Sequence, residues 1–185
     1  MKISKRDGVT IIQLTGGSAT QSFSREFLPR IRDAVMDNIG CKAIVITGEG
    51  KFFSAGADIK AFKKSIEDGD SVELIRELTD TLHPMLVKMR TSKTIFVAAL
   101  NGASAGGGLG LALACDARIA SPNGKMAASY SGIGLSPDGG TTWLLPRLVG
   151  EQVARRFFLE NQVWSADEAC ELGAIDEVVS EDDLI

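Results

Sequence analysis

Short runs of apolar residues alternate along the chain with longer segments of helical periodicity. The runs at 43–47 and 95–100 are wholly apolar or nearly so, and 9–15 is rich in β-branched residues, which predicts three strands. Another segment carries apolar residues every three or four positions, which predicts a long amphipathic helix (Ile75, Leu78, Leu82, Met85, Met89). Strands that alternate with helices in this way indicate an α/β protein with a sheet buried on both faces.

Further elements are predicted from their ends. Ser24 is a candidate N-cap for a helix whose apolar residues recur at helical spacing (Phe27, Leu28, Ile31, Val35). The uncharged segment 106–115 is predicted as a helix packed on all sides, and 116–121 and 125–128 as short strands. A capping box at 165–168 predicts one more helix, which we expect to end near Gly173.

Composition narrows the class of protein. The 185 residues correspond to one domain, predicted to span 1–185, and 20 Lys and Arg against 24 Asp and Glu give a formal net charge of −4. The chain has no basic run that would favour nucleic acid as a partner, and its single histidine and three scattered cysteines form no metal or disulfide motif. The first eight residues lack a secretory signal, and the longest uncharged run, 94–115, is interrupted at Asn101-Gly102. We therefore expect a cytoplasmic protein without a membrane span or a metal.

Two glycine-rich segments each follow a predicted buried strand. They are FFSAGADIK (52–60) and NGASAGGGLG (101–110), and the carboxyl ends of strands are where open α/β sheets bind ligands. Free N–H groups at a helix start favour negative charge, and two of them that converge on one point would hold an oxyanion. Each such donor lowers a reaction barrier by about 3–4 kcal/mol. The alternative is that the glycines only allow helix and strand to pack closely.

One other motif competes for the second segment. Gly102-Ala-Ser104-Ala-Gly106 matches the GxSxG nucleophile elbow of serine hydrolases, in which Ser104 would attack the substrate. The only histidine, His83, precedes the serine, whereas in that hydrolase fold the base follows it. A serine hydrolase is therefore the least favoured interpretation. Neither the dinucleotide pattern GxGxxG nor the phosphate-loop pattern is present.

Three segments resemble the signatures of the crotonase (enoyl-CoA hydratase/isomerase) superfamily, in the same order. They are FFSAGADIKAF (52–62), NGASAGGGLGLALACDARIAS (101–121) and GIGLSPDGGTTWLLPRLVG (132–150). The resemblance covers nearly the whole chain. It implies a repeated ββα spiral core and a coenzyme A thioester as ligand, so that coenzyme A is part of the substrate and no separate cofactor is needed.

The resemblance also implies roles for individual residues. The oxyanion donors of the family fall on the backbone N–H groups of Ala57 and Gly107. Contacts to coenzyme A fall in the same two turns (Ala55, Asp58, Ile59, Lys60 and Gly106). Two of these residues have simpler explanations: Asp58 is a good helix cap, and Lys60 either touches the phosphates or is only solvated.

The acid and base groups depart from the hydratases of the family. Those enzymes hold a water molecule between two glutamates, and the corresponding positions here are Gly110 and Ser129, so efficient hydration is not expected. The remaining carboxylate is Asp138, at a position where several double-bond isomerases and the aryl-CoA dehalogenases of the family carry theirs. Alternatively, Asp138 is only the turn residue of a Pro-Asp-Gly sequence.

The surroundings of Asp138 can also be anticipated. Shelter among Leu135, Trp143 and Leu144 would make its carboxylate a stronger base. Tyr130, beside Ser129, is a candidate to face the acyl group. Trp143 either lines the acyl pocket or belongs to the core.

The two ends of the chain differ from the usual family pattern. Segment 16–24 is short and lacks the Asn-Ala-Leu run that many members use near coenzyme A, which weakens the expectation of pantetheine contacts there. Members usually continue beyond GAIDEVV (173–179) with helices that cover the acyl pocket and build a trimer, and that segment is largely missing from a chain that stops at Ile185. We expect the apolar surface left exposed to be covered by self-association, giving a homo-oligomer, either a trimer or a dimer of trimers.

The function expected from the resemblance is the shift of a 3-enoyl-CoA double bond to the 2-enoyl position, with Asp138 as the single acid and base. A hydratase-like or other acyl-CoA lyase activity is the alternative within the fold. A catalytically inactive subunit that binds CoA esters is the alternative from another class.

Overall fold

The structure, a computed structural model, describes residues 1–15 and 18–185. Its strands are β1 (Lys2–Arg6), β2 (Val9–Gln13), β3 (Ala43–Thr47), β4 (Phe52–Ser54), β5 (Ile95–Leu100), β6 (Ala103–Ala105), β7 (Ala117–Ala120), β8 (Lys125–Ala127), β9 (Val163–Ser165) and β10 (Glu177–Val178). Its α-helices are α1 (Phe27–Met36), α2 (Ile59–Asp68), α3 (Ser71–Thr91), α4 (Gly107–Ala114), α5 (Thr141–Val149), α6 (Glu151–Leu159) and α7 (Ala166–Glu171).

The larger sheet has six strands in the order β1-β2-β3-β5-β7-β10. All neighbouring pairs are parallel except β1 and β2, which form an antiparallel hairpin. Its turn is Asp7-Gly8, with φ of 54° and 85° at the two residues, the left-handed pair that tight hairpins require. Strand β1 was not predicted, because all five of its residues are exposed and it has no buried face to produce an alternating pattern.

The smaller sheet has the order β4-β6-β8-β9, and its first three strands are parallel. Each of these three strands directly follows a long strand of the larger sheet: β4 follows β3, β6 follows β5, and β8 follows β7. Helix α2 then follows β4, and α4 follows β6. This repeated ββα pattern confirms the predicted α/β class and spiral core.

The predicted helices of the core are present with small shifts. In α3, four of the five predicted apolar positions are buried, whereas Ile75 is largely exposed. In α4, every residue after Gly107 is buried, as its uniform apolarity predicted. Helix α1 begins at Phe27, and the Ser24 hydroxyl accepts its N–H at 3.1 Å, although Glu26 is the residue that directly precedes the helix.

The end of the chain follows the predicted capping box. The Ser165 hydroxyl accepts the Glu168 N–H, and the Glu168 carboxylate accepts the Ser165 N–H at 2.7 Å, so α7 starts as expected. Gly173, with a φ of 83°, lies two residues beyond its last helical residue. Helix α6 was not predicted, and for α2 and α5 only a possible start was anticipated, at Asp58 and Trp143.

Two negative findings, on membrane spans and on metal ligands, apply only to the part of the chain that the structure describes. Within residues 1–15 and 18–185, no helix combines the length and apolarity needed to cross a bilayer. Across the same residues, no three His, Cys, Asp or Glu side chains are grouped as metal ligands would be. The expectation for segment 16–24 partly concerns residues 16 and 17, which lie outside the described residues.

Candidate active site

The first glycine-rich segment forms the junction between β4 and α2. The Ser54 hydroxyl donates to the Gln21 carbonyl at 2.9 Å and accepts the Gly56 N–H at 3.2 Å. Phe23 donates its N–H to the Gly56 carbonyl at 2.7 Å and accepts the Asp58 N–H at 3.3 Å. Because these two bonds flank Ala57, the N–H of Ala57 itself points away from Phe23, and it has no acceptor among the described residues.

The second glycine-rich segment forms the junction between β6 and α4. Gly106, with φ of 51° and ψ of −125°, turns the chain sharply, and Gly107 is the first residue of α4. The N–H of a first helical residue has no partner within the helix, and no other described residue accepts that of Gly107.

The two junctions touch each other through backbone. A Cβ atom on Gly56 would lie 2.6 Å from the Gly107 nitrogen and 2.6 Å from the Ala105 carbonyl oxygen. Gly56 also has a φ of 74°, which favours glycine. The contact places the two junctions side by side, and each carries one unpartnered N–H group. Glycine at position 56 is therefore required for this close approach.

A cavity of about 290 Å³ lies in front of these two junctions. Eight of the residues singled out from the sequence line it (Ala55, Ala57, Ile59, Gly106, Gly107, Ser129, Tyr130 and Asp138). Most of its remaining wall is apolar and comes from α1, α2, α3 and two segments outside the α-helices (Phe23, Leu28, Phe62, Leu78, Leu82, Ile133). The sequence analysis did not assign these apolar residues to the site, because their spacing marks only a helix face or a core position.

Asp138 is held in this cavity by its backbone. Its carbonyl oxygen accepts the Thr141 N–H at 3.1 Å and the Thr141 hydroxyl at 2.8 Å, and the Tyr130 hydroxyl donates to it at 3.4 Å. Its carboxylate oxygen Oδ2 lies 3.3 Å from Nε2 of His83, a residue of α3 that lines the same cavity. His83 was considered in the sequence only as a base for Ser104, and its contact with Asp138 was not anticipated.

The expected apolar shelter around Asp138 is wrong. Its side chain is 41% exposed, Leu135 is exposed, and Trp143 is 64% exposed. Trp143 lies at the start of α5, where the Arg147 guanidinium stacks 3.2 Å from its ring centre. It lines a neighbouring groove rather than the cavity. Because of its exposure, it does not belong to the core either.

Tyr130 and Ser129 also line the cavity. Tyr130 is buried, and this burial, together with the nearby Asp138 carboxylate, raises the pKa of its phenol. The hydroxyl is therefore a proton donor throughout the neutral range. Ser129 is exposed and has a φ of 54°, a left-handed conformation that is uncommon for a residue with a side chain.

Asp58 and Lys60 lie beside the cavity rather than in it. The Asp58 carboxylate accepts the N–H groups of Lys60 at 2.9 Å and Ala61 at 3.3 Å, so Asp58 caps α2. Lys60 is exposed on the first turn of that helix. Neither side chain lines the cavity, which leaves the neighbouring surface as the only place where they would meet a ligand.

Ser104 does not have the geometry of a nucleophile. It is fully buried within strand β6, and its hydroxyl donates to the Lys125 carbonyl at 3.0 Å. A nucleophile elbow instead exposes its serine at the turn between strand and helix. The serine hydrolase interpretation is therefore wrong, and Ser104 is a structural residue.

Comparison with known proteins identifies the family. A family model described as enoyl-CoA hydratase/isomerase matches residues 4–185. The chain therefore belongs to the enoyl-CoA hydratase/isomerase family, and its fold is the crotonase fold.

Relatives with different names share this similarity. The crotonyl-CoA hydratase of Syntrophomonas wolfei is 32% identical, over 99% of this chain and 70% of that protein. The 4-chlorobenzoyl coenzyme A dehalogenase-2 of an Arthrobacter species is 32% identical, over 100% of this chain and 67% of that protein. The solved structure of an enoyl-CoA hydratase from Polaromonas sp. JS666 superposes with a TM-score of 0.88 at 30% identity, covering 99% of this chain and 72% of that one.

The chain is shorter than the proteins that it matches. It spans 65% of the length of the Bacillus subtilis protein YhaR, which is 34% identical over 91% of this chain. It likewise spans 64% of EchA14 of Mycobacterium tuberculosis, at 35% identity over 89% of this chain.

Proposed function

We propose that this protein isomerises 3-enoyl-CoA thioesters to the conjugated 2-enoyl-CoA, with Asp138 as the single acid and base. One observation carries the proposal: the cavity is lined both by two residues with unpartnered N–H groups, Ala57 and Gly107, and by one carboxylate, Asp138. Two donors and one carboxylate are the minimum that an enolate mechanism requires.

The reaction follows from these three groups. The N–H groups of Ala57 and Gly107 donate to the thioester oxygen, on which negative charge develops. The Asp138 carboxylate removes a proton from C2, and the electron pair of that C–H bond spreads over C2, C4 and the thioester oxygen as a dienolate. The protonated Asp138 then returns the proton to C4, which leaves the double bond between C2 and C3.

His83 supports the base from the side of α3. Its Nε2 is 3.3 Å from Oδ2 of Asp138, within reach of a hydrogen bond. A His83 that donates this bond orients the carboxylate toward the cavity that both residues line.

The remaining parts of the proposal concern binding and assembly. Ala55, Ile59 and Gly106 line the cavity beside the donors, where they would contact the acyl thioester or the pantetheine arm. Asp58 and Lys60 would meet only the nucleotide end, on the adjoining surface. We also propose that the chain acts as one domain, 1–185, in a cytoplasmic homo-oligomer, either a trimer or a dimer of trimers, because large apolar side chains are exposed (Val87, Trp143, Leu159, Val163). Coenzyme A enters as part of the substrate, and no separate cofactor takes part.

Hydrolytic dehalogenation of a halogenated aryl-CoA, without a serine nucleophile, is the second candidate. The contact between His83 and Asp138 favours it, because an imidazole beside a carboxylate is able to take a proton from water. A relative at 32% identity is named as a coenzyme A dehalogenase. In such a reaction His83 would be indispensable, whereas the isomerisation needs it only to support Asp138.

The test follows the absorbance of the conjugated thioester after 3-hexenoyl-CoA is added to the pure protein. We expect the signal to grow with the natural chain and to fall by about 100-fold or more in Asp138→Asn. The affinity for hexanoyl-CoA, which carries no double bond, should change by less than about threefold in that variant. His83→Gln should retain a substantial part of the activity.

Three results would contradict the isomerase. Equal activity in Asp138→Asn and the natural chain would show that Asp138 is not the acid and base. Complete loss in His83→Gln, with turnover of a halogenated aryl-CoA by the natural chain, would favour the hydrolytic candidate. Binding of hexanoyl-CoA without turnover of any ester would indicate a subunit that only binds CoA esters.

A further inference from the structure

We propose that Gly110 is a positioning residue for Asp138, because the space left by its missing side chain is filled by the backbone of Gly139. This inference rests on the proposed function, in which Asp138 is the acid and base. Its consequence is that a carboxylate at position 110 and the present position of Asp138 exclude each other.

The contact between Gly110 and Gly139 is very close. Gly110 is the fourth residue of α4 and is buried. Its N–H donates to the Gly106 carbonyl at 3.1 Å, a regular helical hydrogen bond. A Cβ atom on Gly110 would lie 2.7 Å from the carbonyl oxygen of Gly139 and 3.3 Å from its Cα. Because both atoms belong to backbone, no side-chain rotation would relieve the overlap, and the loop itself would have to move.

The same loop is anchored from its other side. Gly139 is buried with a φ of 57°, and the preceding carbonyl, that of Asp138, accepts the bonds from Thr141 and Tyr130. Those bonds fix the direction of the loop, whereas contact with Gly110 fixes how deeply it packs against α4. The two together determine where the Asp138 carboxylate lies relative to the N–H group of Gly107, which is at the start of the same helix.

This arrangement gives a physical reason for the absence of the first of the two hydratase carboxylates. By resemblance to the family, position 110 is where hydratases carry the first of their two glutamates. Here the Gly139 backbone occupies the space into which a side chain at 110 would extend. The active site is therefore built around a carboxylate from the loop instead of one from the helix.

The first test is Gly110→Ala, assayed with 3-hexenoyl-CoA. We expect kcat to fall by about tenfold to 100-fold, because displacements of about 1 Å are enough for losses of that size. The dissociation constant of hexanoyl-CoA should change by less than about twofold, because neither Gly110 nor Gly139 takes part in binding the thioester. The matched control is Ala112→Gly, which lowers the stability of the same buried helix without placing an atom beside Gly139, and it should keep the natural kcat.

A second readout does not depend on turnover. The Thr141 N–H donates to the Asp138 carbonyl, so its exchange with deuterium reports on the position of the loop. Exchange at Thr141 should accelerate by about tenfold in Gly110→Ala and stay unchanged in Ala112→Gly. If the natural chain isomerises nothing but this exchange pattern appears, the proposed function fails and the positioning role stands.

Several results would overturn the proposal. They are an unchanged kcat in Gly110→Ala, equal losses of kcat in Gly110→Ala and Ala112→Gly, or hydration of 2-hexenoyl-CoA by Gly110→Glu. If Gly110→Ala does not fold, one additional glycine between Gly139 and Gly140 should restore folding by giving the loop slack, while kcat stays low. Failure of the extra glycine to restore folding would show that the overlap with this loop is not the cause.

Discussion

The two junctions that carry the proposed N–H donors differ in how they are held. At the β4–α2 junction a side chain, Asp58, caps the helix, and Ser65 is the only buried residue of α2. At the β6–α4 junction no side chain caps the helix, and every residue of α4 after Gly107 is buried. One donor therefore belongs to a turn near the surface, and the other to a helix inside the core.

This difference indicates how the proposed oxyanion site would be kept rigid. The Gly107 N–H is fixed by packing on all sides of α4. The Ala57 N–H is fixed by its neighbours: the Gly56 N–H donates to the Ser54 hydroxyl, and Phe23 bonds to both Gly56 and Asp58. Gly56 is the point at which the two meet. Substitutions at the contact should thus harm catalysis most, and substitutions at the exposed cap should harm it least.

The largest effect is expected from Gly56→Ala. The new Cβ would overlap the Gly107 nitrogen and the Ala105 carbonyl, so the donors should separate and kcat for 3-hexenoyl-CoA should fall by about 100-fold or more. Gly69→Ala is the matched control, because Gly69 has a φ of 81° but no atom within 4 Å of the new Cβ. It should carry a similar backbone strain of about 1–2 kcal/mol and keep its activity. Equal losses in both variants would refute the contact as the cause.

A smaller effect on activity separates two buried serines. Ser104→Ala should lower the free energy of unfolding by about 1 kcal/mol, measured in urea, and leave kcat within about twofold, because its hydroxyl only bonds the Lys125 carbonyl. Ser54→Ala should lose similar stability and also activity, because Ser54 orders the Gly56 turn. Abolished turnover in Ser104→Ala would revive a serine nucleophile.

The smallest effect is expected from the cap of α2. Asp58→Ala should lower the free energy of unfolding by about 1 kcal/mol, as loss of an N-cap usually does, while Asp58→Asn should retain most of that stability. The activity of both variants should stay close to the natural value, because the capping carboxylate does not line the cavity. A tenfold loss of affinity for hexanoyl-CoA in Asp58→Asn would instead show that Asp58 contacts the ligand.

The parts of the fold that sequence predicts are those with a buried face. Burial can be predicted directly from the sequence of four elements: the apolar runs of β3 and β5, the apolar stripe of α3 and the uniformly apolar α4. The burial of α2 cannot be predicted in this way, because Ile59 and Ile66 are exposed and Ser65 is its buried residue.

The candidate site divides in the same way. The two glycine-rich turns were evident from local sequence, because close backbone approach leaves a local record of small residues. The contact of His83 with Asp138 joins residues 55 positions apart, and nothing in the sequence near either of them indicates it. The exposure of Asp138 and Trp143 depends on the course of the loop over the cavity, which periodicity does not encode.

The central claim, that donors from two junctions polarise one thioester carbonyl, is tested most directly by isotope-edited infrared spectroscopy. Hexanoyl-CoA labelled with carbon-13 at the thioester carbonyl would be bound to the natural chain and to Gly56→Ala. The account predicts that the carbonyl band moves to lower wavenumber on binding to the natural chain and returns close to its solution position in Gly56→Ala. A band that does not move on binding to the natural chain would contradict the claim.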